Sequence, residues 1–187
     1  IPFGIQPYAG GNYTFKNNHK IGYQAGIALM FPIFHNNRFG LSFGPEYCFE
    51  RKYVELSDHS AQPPYITPFT KSQSRSIYLK IPVKMLCNIY VGPRMILVPC
   101  IGLKPEYLLT TTDEQRRLGP AAYSRYNLAW AAGLGFMIKT HFTLSAEYSN
   151  DLFENLKDRN IYDSSGAVIG KQKSKTKLLS LLLYYNF

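Results

Sequence analysis

The closing stretch of the chain decides the fold: Lys175-Thr-Lys-Leu-Leu-Ser-Leu-Leu-Leu-Tyr-Tyr-Asn-Phe187. Apolar side chains recur at every second position, which is the period of a β-strand. One face of this strand collects Leu179, Leu181, Leu183, Tyr185 and Phe187. A soluble domain seldom finishes on such a strand, whereas a membrane barrel does, because its last strand must close against its first. The stretch therefore predicts a transmembrane β-barrel.

The composition agrees with a barrel rather than with a helical membrane protein. Aromatic residues make up 15% of the 187 residues, and Tyr (15) with Phe (12) far outnumber Trp (1). Charged residues reach only 18%, below the roughly 25% of soluble domains. No window approaches the roughly 18 consecutive apolar residues of a membrane helix. We expect one barrel domain over residues 1–187.

Period-two patterns recur along the chain and predict eight antiparallel strands joined up and down. The predicted strands cover 4–15, 21–33, 39–55, 76–90, 95–110, 124–139, 142–149 and 175–187. Long loops are predicted at 56–75, 111–123 and 150–174. Short turns at one end and long loops at the other are typical of an outer-membrane barrel, and the parity of the strands places both chain ends at the short-turn, periplasmic end.

The two faces of the predicted strands differ in chemistry. In the third strand, Phe39, Leu41 and Phe43 alternate with Gly40 and Ser42. An eight-stranded barrel has an interior just wide enough to be filled by side chains, so the small and polar face is expected inside. Aromatic residues near the strand ends predict two interfacial girdles, a lower one of Phe31, Phe34, Phe39, Tyr90, Phe142, Tyr185 and Phe187 and an upper one of Tyr13, Phe15, Tyr53, Tyr107, Tyr126 and Tyr148.

Seven charged residues fall on the predicted inner face of four strands. They are Glu46, Glu50, Lys80, Lys84, Lys104, Glu106 and Glu147. Buried charges need partners. We therefore expect Glu46 or Glu50 to pair with Lys80 or Lys84, and those lysines with Glu106, as a salt-bridged plug. The alternative is a narrow ion path or a gate that opens when the pairs exchange.

The formal net charge of +9 predicts attraction to anionic surfaces. Basic residues in the predicted loops are candidate contacts for anionic lipid, above all the phosphates of lipopolysaccharide; a merely solvated surface is the alternative. The candidates are Arg75, Arg116, Arg117, Lys171 and Lys173. No helical basic face or nucleic-acid motif is present, so nucleic acid is not an expected partner.

Neither the histidines nor the cysteines predict a reactive or metal site. His59, with its neighbours Ser57 and Asp58, comes nearest to a catalytic triad, but adjacent residues of one loop rarely reach triad geometry. The other histidines, His19, His35 and His141, lie in predicted turns or loops. The three cysteines, Cys48, Cys87 and Cys100, lack metal-ligand spacing and are expected to be small apolar fillers in strands. No cofactor or metal is predicted.

Three segments resemble the PorT-like outer-membrane β-barrel family of Bacteroidetes. They are Ser76-Ile-Tyr-Leu-Lys-Ile-Pro-Val-Lys84, the Val91-Gly-Pro turn, and Ile101-Gly-Leu-Lys-Pro-Glu-Tyr-Leu-Leu109. The resemblance covers essentially the whole chain, but its motifs are architectural. Lys80 departs from it, since the family often has Glu there, and the first surface loop is unusually short. The resemblance implies an eight-stranded outer-membrane barrel without catalytic residues.

The sequence thus predicts a non-enzymatic barrel in the outer membrane of a Gram-negative bacterium, with a plugged lumen. Its expected partners are membrane lipids and lipopolysaccharide, and possible further ones are other envelope proteins. One alternative is a soluble, lipocalin-like barrel that binds a small ligand, which would require an apolar interior. The other is an outer-membrane enzyme that modifies lipid A through His59.

Overall fold

The structure, a computed structural model, describes residues 4–15, 20–33, 38–56, 70–93, 95–113, 124–138, 141–153, 159–162, 168–172 and 175–187. Nearly all of them lie in β-strands. No helix within these ranges is long and apolar enough to span a membrane. The strands are β1 Gly4–Thr14, β2 Lys20–Pro32, β3 Phe39–Phe43, β4 Glu46–Leu56, β5 Thr70–Lys80, β6 Val83–Cys87, β7 Ile89–Gly92, β8 Met95–Asp113, β9 Tyr126–Ile138, β10 Phe142–Asp151, β11 Arg159–Tyr162, β12 Val168–Gln172 and β13 Lys177–Tyr185.

Antiparallel pairing closes the main sheet into a ring. Strand β1 pairs with β2 on one side and with β13 on the other, from Tyr8 opposite Tyr184 to Thr14 opposite Leu178. Around the ring follow β3 with β4, β5 with β6 and β7, then β8, β9 and β10, which returns to β13. Counting the interrupted strands once gives eight wall strands, and each pairs with its neighbours in the chain. The prediction of an all-β, eight-stranded antiparallel up-and-down barrel is confirmed.

Two wall strands are interrupted at prolines. Gly44 and Pro45 separate β3 from β4, and Pro82 separates β5 from β6, because proline has no N–H to donate to the ladder. Neighbouring backbone bonds keep the wall continuous: the Ile27 N–H donates to the Pro45 carbonyl at 3.1 Å. A Cβ atom at Gly44 would lie 2.0 Å from the Ile27 carbonyl oxygen, so only glycine fits this close approach.

The apolar face of the barrel points outward and the polar face points inward. In β13, Leu181 is 57% exposed whereas its neighbour Leu182 is fully buried, and the same alternation runs along the whole strand. Soluble barrels have the opposite arrangement, with apolar side chains inside. The chain therefore has the fold of a transmembrane β-barrel.

Aromatic side chains cluster at both ends of the outer surface. At the lower end, which carries the short turns, the Tyr185 ring lies 5.3 Å from Phe142 and 4.9 Å from Phe187. At the upper end, the Tyr107 and Tyr126 rings lie 5.0 Å apart. These clusters match the two predicted girdles, of which Phe34 and the Tyr53 side chain lie outside the described part of the structure.

The first predicted loop, 56–75, is wrong at its carboxyl end. Strand β5 begins at Thr70 and pairs with β4 as far as Leu56 opposite Thr70; residues 57–69 are outside the described ranges. Strand β8 likewise continues to Asp113, three residues beyond the predicted end. These extensions are rich in polar residues, so the apolar alternation used for prediction fades before the backbone pairing stops.

The third predicted loop, 150–174, contains a two-stranded hairpin. Strands β11 and β12 pair there in an antiparallel sheet of their own, with Arg159 opposite Gln172 and an irregularity after Ile161. Each of the two strands has five residues or fewer, which is too short for the alternation to predict them.

A charged residue introduced on the outer face should destabilise the barrel if lipid covers that face, and it should have little effect if water covers it. Leu181 lies at the middle of β13 and faces outward, so Leu181→Arg should destabilise the folded barrel in bilayers by about 2–4 kcal/mol. Unfolding in urea, followed by tryptophan fluorescence in lipid vesicles, measures the loss.

The matched control is Thr112→Arg, an exposed position near the upper end of β8, where the cost should be about 0–1 kcal/mol. Equal, small effects at both positions would mean that water, not lipid, covers the wall.

Candidate functional site: the charged interior

All seven charged residues predicted for the inner face point into the barrel. None of their side chains is more than 6% exposed. They come from four wall strands, since alternation in β4, β5, β6, β8 and β10 turns every second residue inward. This lumen charge network consists of Glu46, Glu50, Lys80, Lys84, Lys104, Glu106 and Glu147.

Lys80 is the centre of the first group of ion pairs. Its Nζ lies 2.7 Å from Glu50 Oε1 and 2.8 Å from Glu106 Oε1. The strand register explains the second contact, because Lys80 stands directly opposite Glu106 on β8. It also stands opposite Glu46 on β4, four residues before Glu50, and its long side chain reaches Glu50 along the inner face. Cross-strand neighbours on one face lie close enough for such pairs to form.

Glu147 is the centre of the second group. Lys84 Nζ lies 2.6 Å from Glu147 Oε2, and Lys104 forms an ion pair with Glu147 Oε1. Lys104 also lies 3.7 Å from Glu46 Oε1. Strands β6 and β10 are not neighbours in the sheet, so the pair of Lys84 with Glu147 crosses the lumen and ties opposite walls together.

The expected pairs of Lys80 are present, one with Glu50 and one with Glu106. The carboxylate partner of Lys84, however, is Glu147 on β10 and not a glutamate of β4. Alternation shows which face a residue occupies but not how far its side chain reaches across the ring. Gly102 on β8 stands opposite Lys84 on β6, and because it has no side chain the two strands can lie close together here. A Cβ there would lie 2.1 Å from the Val83 carbonyl oxygen, so a side chain at residue 102 would push the strands apart.

Two inward tyrosines extend the network, and neither was predicted as part of it. The Tyr8 hydroxyl donates to Glu46 Oε2 at 2.8 Å, and the Tyr8 ring stacks on Tyr184 at 4.7 Å. The Lys84 ammonium donates to the Tyr184 hydroxyl at 3.2 Å. The sequence held a signal for Tyr184, because it alternates with the outward residues of β13.

Above the network the lumen is polar and its groups bond to one another. The Thr111 hydroxyl lies 2.9 Å from the Ser76 hydroxyl and 3.2 Å from that of Ser74. Beside the network, the Ser180 hydroxyl donates to Gln24 Oε1 at 3.1 Å, and the Gln24 amide donates to Glu46 Oε2 at 3.4 Å. This interior differs from the apolar lumen that a lipocalin-like barrel would need.

The candidate lipid contacts are only partly within the described residues. Arg75 is exposed on the outer face of β5, directly opposite Arg51 on β4, which is also exposed. Lys171 lies on the short strand β12. Outside the described ranges lie Arg116, Arg117 and Lys173.

The described histidines and cysteines do not gather into a metal site. His141 is exposed at a lower turn, where its ring stacks with Tyr185 at 6.5 Å. Among the described residues, no group of three or more His, Cys, Asp or Glu could hold a metal ion. The cysteines are free; Cys48 is buried, and Cys87 and Cys100 are partly exposed. Outside the described ranges lie His19, His35 and His59.

The fold and the interior together define the class: a transmembrane β-barrel whose lumen holds a network of ion pairs. No family model and no curated protein sequence matches the chain. Its strand pairing, not a relative, therefore establishes the fold.

Some solved structures are similar in outline. The attachment invasion locus protein Ail of Yersinia pestis, in complex with the heparin analogue sucrose octasulfate, shares 12% identity over 98% of this chain and 97% of that chain, with a TM-score of 0.46. Neisserial surface protein A shares 13% over 99% and 97%, with a TM-score of 0.48. The outer membrane protein OprG of Pseudomonas aeruginosa shares 11% over 98% and 93%, with a TM-score of 0.43. Identities and scores this low do not carry a function across.

Lys80 offers a direct test of the ion pairs. Lys80→Met removes the cation between Glu50 and Glu106, so unpaired charge remains in the interior and the barrel should lose about 3–5 kcal/mol of stability. Urea unfolding of the barrel in lipid vesicles measures the loss.

The control is Lys177→Met, which removes an exposed charge at the upper end of β13 and should change stability by less than about 1 kcal/mol. Adding Glu50→Gln and Glu106→Gln to Lys80→Met should restore much of the loss, because the unpaired carboxylates are then gone. No loss in Lys80→Met would show that these contacts do not stabilise the fold.

Proposed function

We propose that this protein is a non-enzymatic barrel of a Gram-negative outer membrane, with a closed lumen and an upper surface that contacts lipopolysaccharide. The single observation that carries the proposal is the reversal of the two faces, apolar outside and charged inside. Closed antiparallel barrels of this kind are the β-structures that span outer membranes. Membership of the PorT-like family stays a prediction.

Ion pairs support a closed lumen. The contact between Lys84 and Glu147 bridges non-adjacent walls, and Lys104 joins Glu147 to Glu46. The Tyr8 and Tyr184 rings stack beside these pairs. An eight-stranded ring leaves little space that such side chains do not fill. We therefore favour a plug over an ion path.

The upper surface suits an anionic partner. Arg51 and Arg75 stand directly opposite each other on the outer face of β4 and β5, which brings two positive side chains to neighbouring positions. Arginine binds phosphate in a two-pronged manner. The proposed contact surface also includes Arg116, Arg117, Lys171 and Lys173, which the sequence places near the same end.

Closure of the lumen is testable by electrical recording. The native barrel should show no steady current in a planar bilayer. Lys84→Ala should give measurable openings, because it removes the contact that crosses the lumen to Glu147. Lys177→Ala, on the outer face, serves as the control and should stay silent. A native current as large as that of Lys84→Ala would contradict the plug.

Binding of lipopolysaccharide is testable by comparing a variant that loses charge at the proposed contact with one that loses charge at the other end of the barrel. The double variant Arg51→Gln/Arg75→Gln should bind lipopolysaccharide about tenfold more weakly, since two phosphate contacts are lost. Arg38→Gln removes an exposed charge at the lower end and should bind like the native protein. Titration of labelled barrel in nanodiscs with lipopolysaccharide, and with a dephosphorylated form, measures both.

If Arg38→Gln weakened lipopolysaccharide binding by the same factor, the effect would come from the loss of net charge and not from a specific contact. If the double variant bound lipopolysaccharide as tightly as the native protein, and the phosphate were still required, the phosphate contact would lie on another part of the surface. Absence of binding in every variant would favour a protein partner in the envelope.

A further inference from the structure

The lumen charge network contains more negative than positive groups. It has four glutamates and three lysines, so full ionisation would leave one negative charge without a counterpart. The group around Glu147 holds two lysines and two glutamates and is neutral. The excess therefore lies in the group around Lys80, where Glu50 and Glu106 share a single ammonium.

This group is shielded from water. The Lys80 side chain is 1% exposed, that of Glu50 2% and that of Glu106 3%. The Tyr78 ring lies 5.4 Å from the Lys80 ammonium. Both carboxylates contact that ammonium, at 2.7 and 2.8 Å, and so they also lie close to each other. When two buried carboxyls share a site in this way, one of them keeps its proton.

The two carboxylates are bonded differently. Glu50 Oε1 accepts a hydrogen bond from Lys80 at 2.7 Å, and the Cys48 thiol donates to it at 3.6 Å. Glu106 Oε1 lies near the same ammonium without the angles of a hydrogen bond, and it accepts none from the described residues. Hydrogen bonds to a carboxylate favour its ionised form. The bonding therefore favours an ionised Glu50 over an ionised Glu106.

The other ionisable groups in the described part of the lumen do not supply the missing positive charge. Asp151 on β10 adds a negative one, and its carboxylate accepts from the Thr176 N–H at 2.7 Å. Lys20, at the upper end of β2, is partly exposed to water. On its lower side the Lys80 group is faced by the neutral group of Glu46, Lys84, Lys104 and Glu147, with Tyr8 and Tyr184.

We propose that the plug is a proton-binding site: one proton resides on Glu106 in the closed barrel and makes the lumen charge network neutral. Loss of this proton leaves Glu50 and Glu106 both ionised beside one ammonium, which weakens the upper half of the plug. The plug is thus firm at neutral pH and loosens at alkaline pH. The inference rests on the closed lumen of the proposed function, but its test does not depend on conduction.

A bound proton makes the stability of the barrel depend on pH with a definite sign. In the unfolded chain a glutamate ionises near pH ~4.3, so at neutral pH only the folded barrel holds the proton. The unfolding constant should therefore rise with pH, by up to about tenfold per pH unit, until the proton leaves. Urea unfolding in lipid vesicles at several pH values measures the rise. Glu106→Gln should abolish it, because one carboxylate then matches one ammonium.

Infrared spectroscopy observes the proton directly. The native barrel is studied in a detergent without carbonyl groups at neutral pH, where exposed carboxyls are ionised. The C=O stretch of one protonated carboxyl should appear, shift in D2O and disappear at alkaline pH. Glu106→Gln should lack this band. Asp151→Asn, which makes the same change at another buried carboxyl of the lumen, should keep it.

A native barrel without the band at neutral pH would overturn the inference. A band that persists in Glu106→Gln, or disappears in Asp151→Asn, would place the proton elsewhere and overturn it as well. Lys52 stands opposite Ser74 on β5 and gives a further check. A band that appears only in Lys52→Met would mean that Lys52 supplies the missing charge and that no proton is held. A conducting native barrel that still shows the band would contradict the closed lumen and support the proton site.

Discussion

Backbone hydrogen bonding in lipid is the constraint on which this structure depends. A bilayer offers no water to an unpaired N–H or C=O, so a spanning sheet must have no free edge. The pairing of β13 with β1 removes that edge, with Tyr8 opposite Tyr184 and Thr14 opposite Leu178. Even at the proline interruptions, carbonyls such as that of Pro45 still accept from the neighbouring strand.

Closure then fixes the chemistry of the two faces. With lipid outside, the apolar residues of each strand must face outward, and the alternate residues are forced into a narrow interior. Glycines in the wall leave space for the long side chains that extend into the lumen. Gly102 stands opposite Lys84, and Gly133 stands opposite Glu147. Removing charge from water is costly, and the cost is offset only when each charge has partners. The two groups around Lys80 and Glu147 meet that condition.

The sequence predicted which face of a strand each residue occupies, because that depends on local periodicity. It did not predict contacts between strands that are not neighbours in the ring. Alternation placed Leu181 outside and Glu147 inside, because a strand repeats every two residues. The partner of Lys84 could not be read in this way, since β6 and β10 meet only across the lumen. The hairpin of β11 and β12 was missed for a different reason: its strands are short, and backbone pairing needs no apolar pattern. Tyr8 lay on a strand whose glycines, Gly10 and Gly11, weaken the alternation.

The network also divides the interior into halves with different chemistry. Above it, hydroxyls such as that of Thr111 bond to their neighbours across the strands. Below it, apolar side chains such as those of Met30 and Met137 line the interior together with polar ones such as those of Ser42 and Ser145. The same ion pairs that stabilise the wall thus set the depth to which a molecule from the lower side can enter.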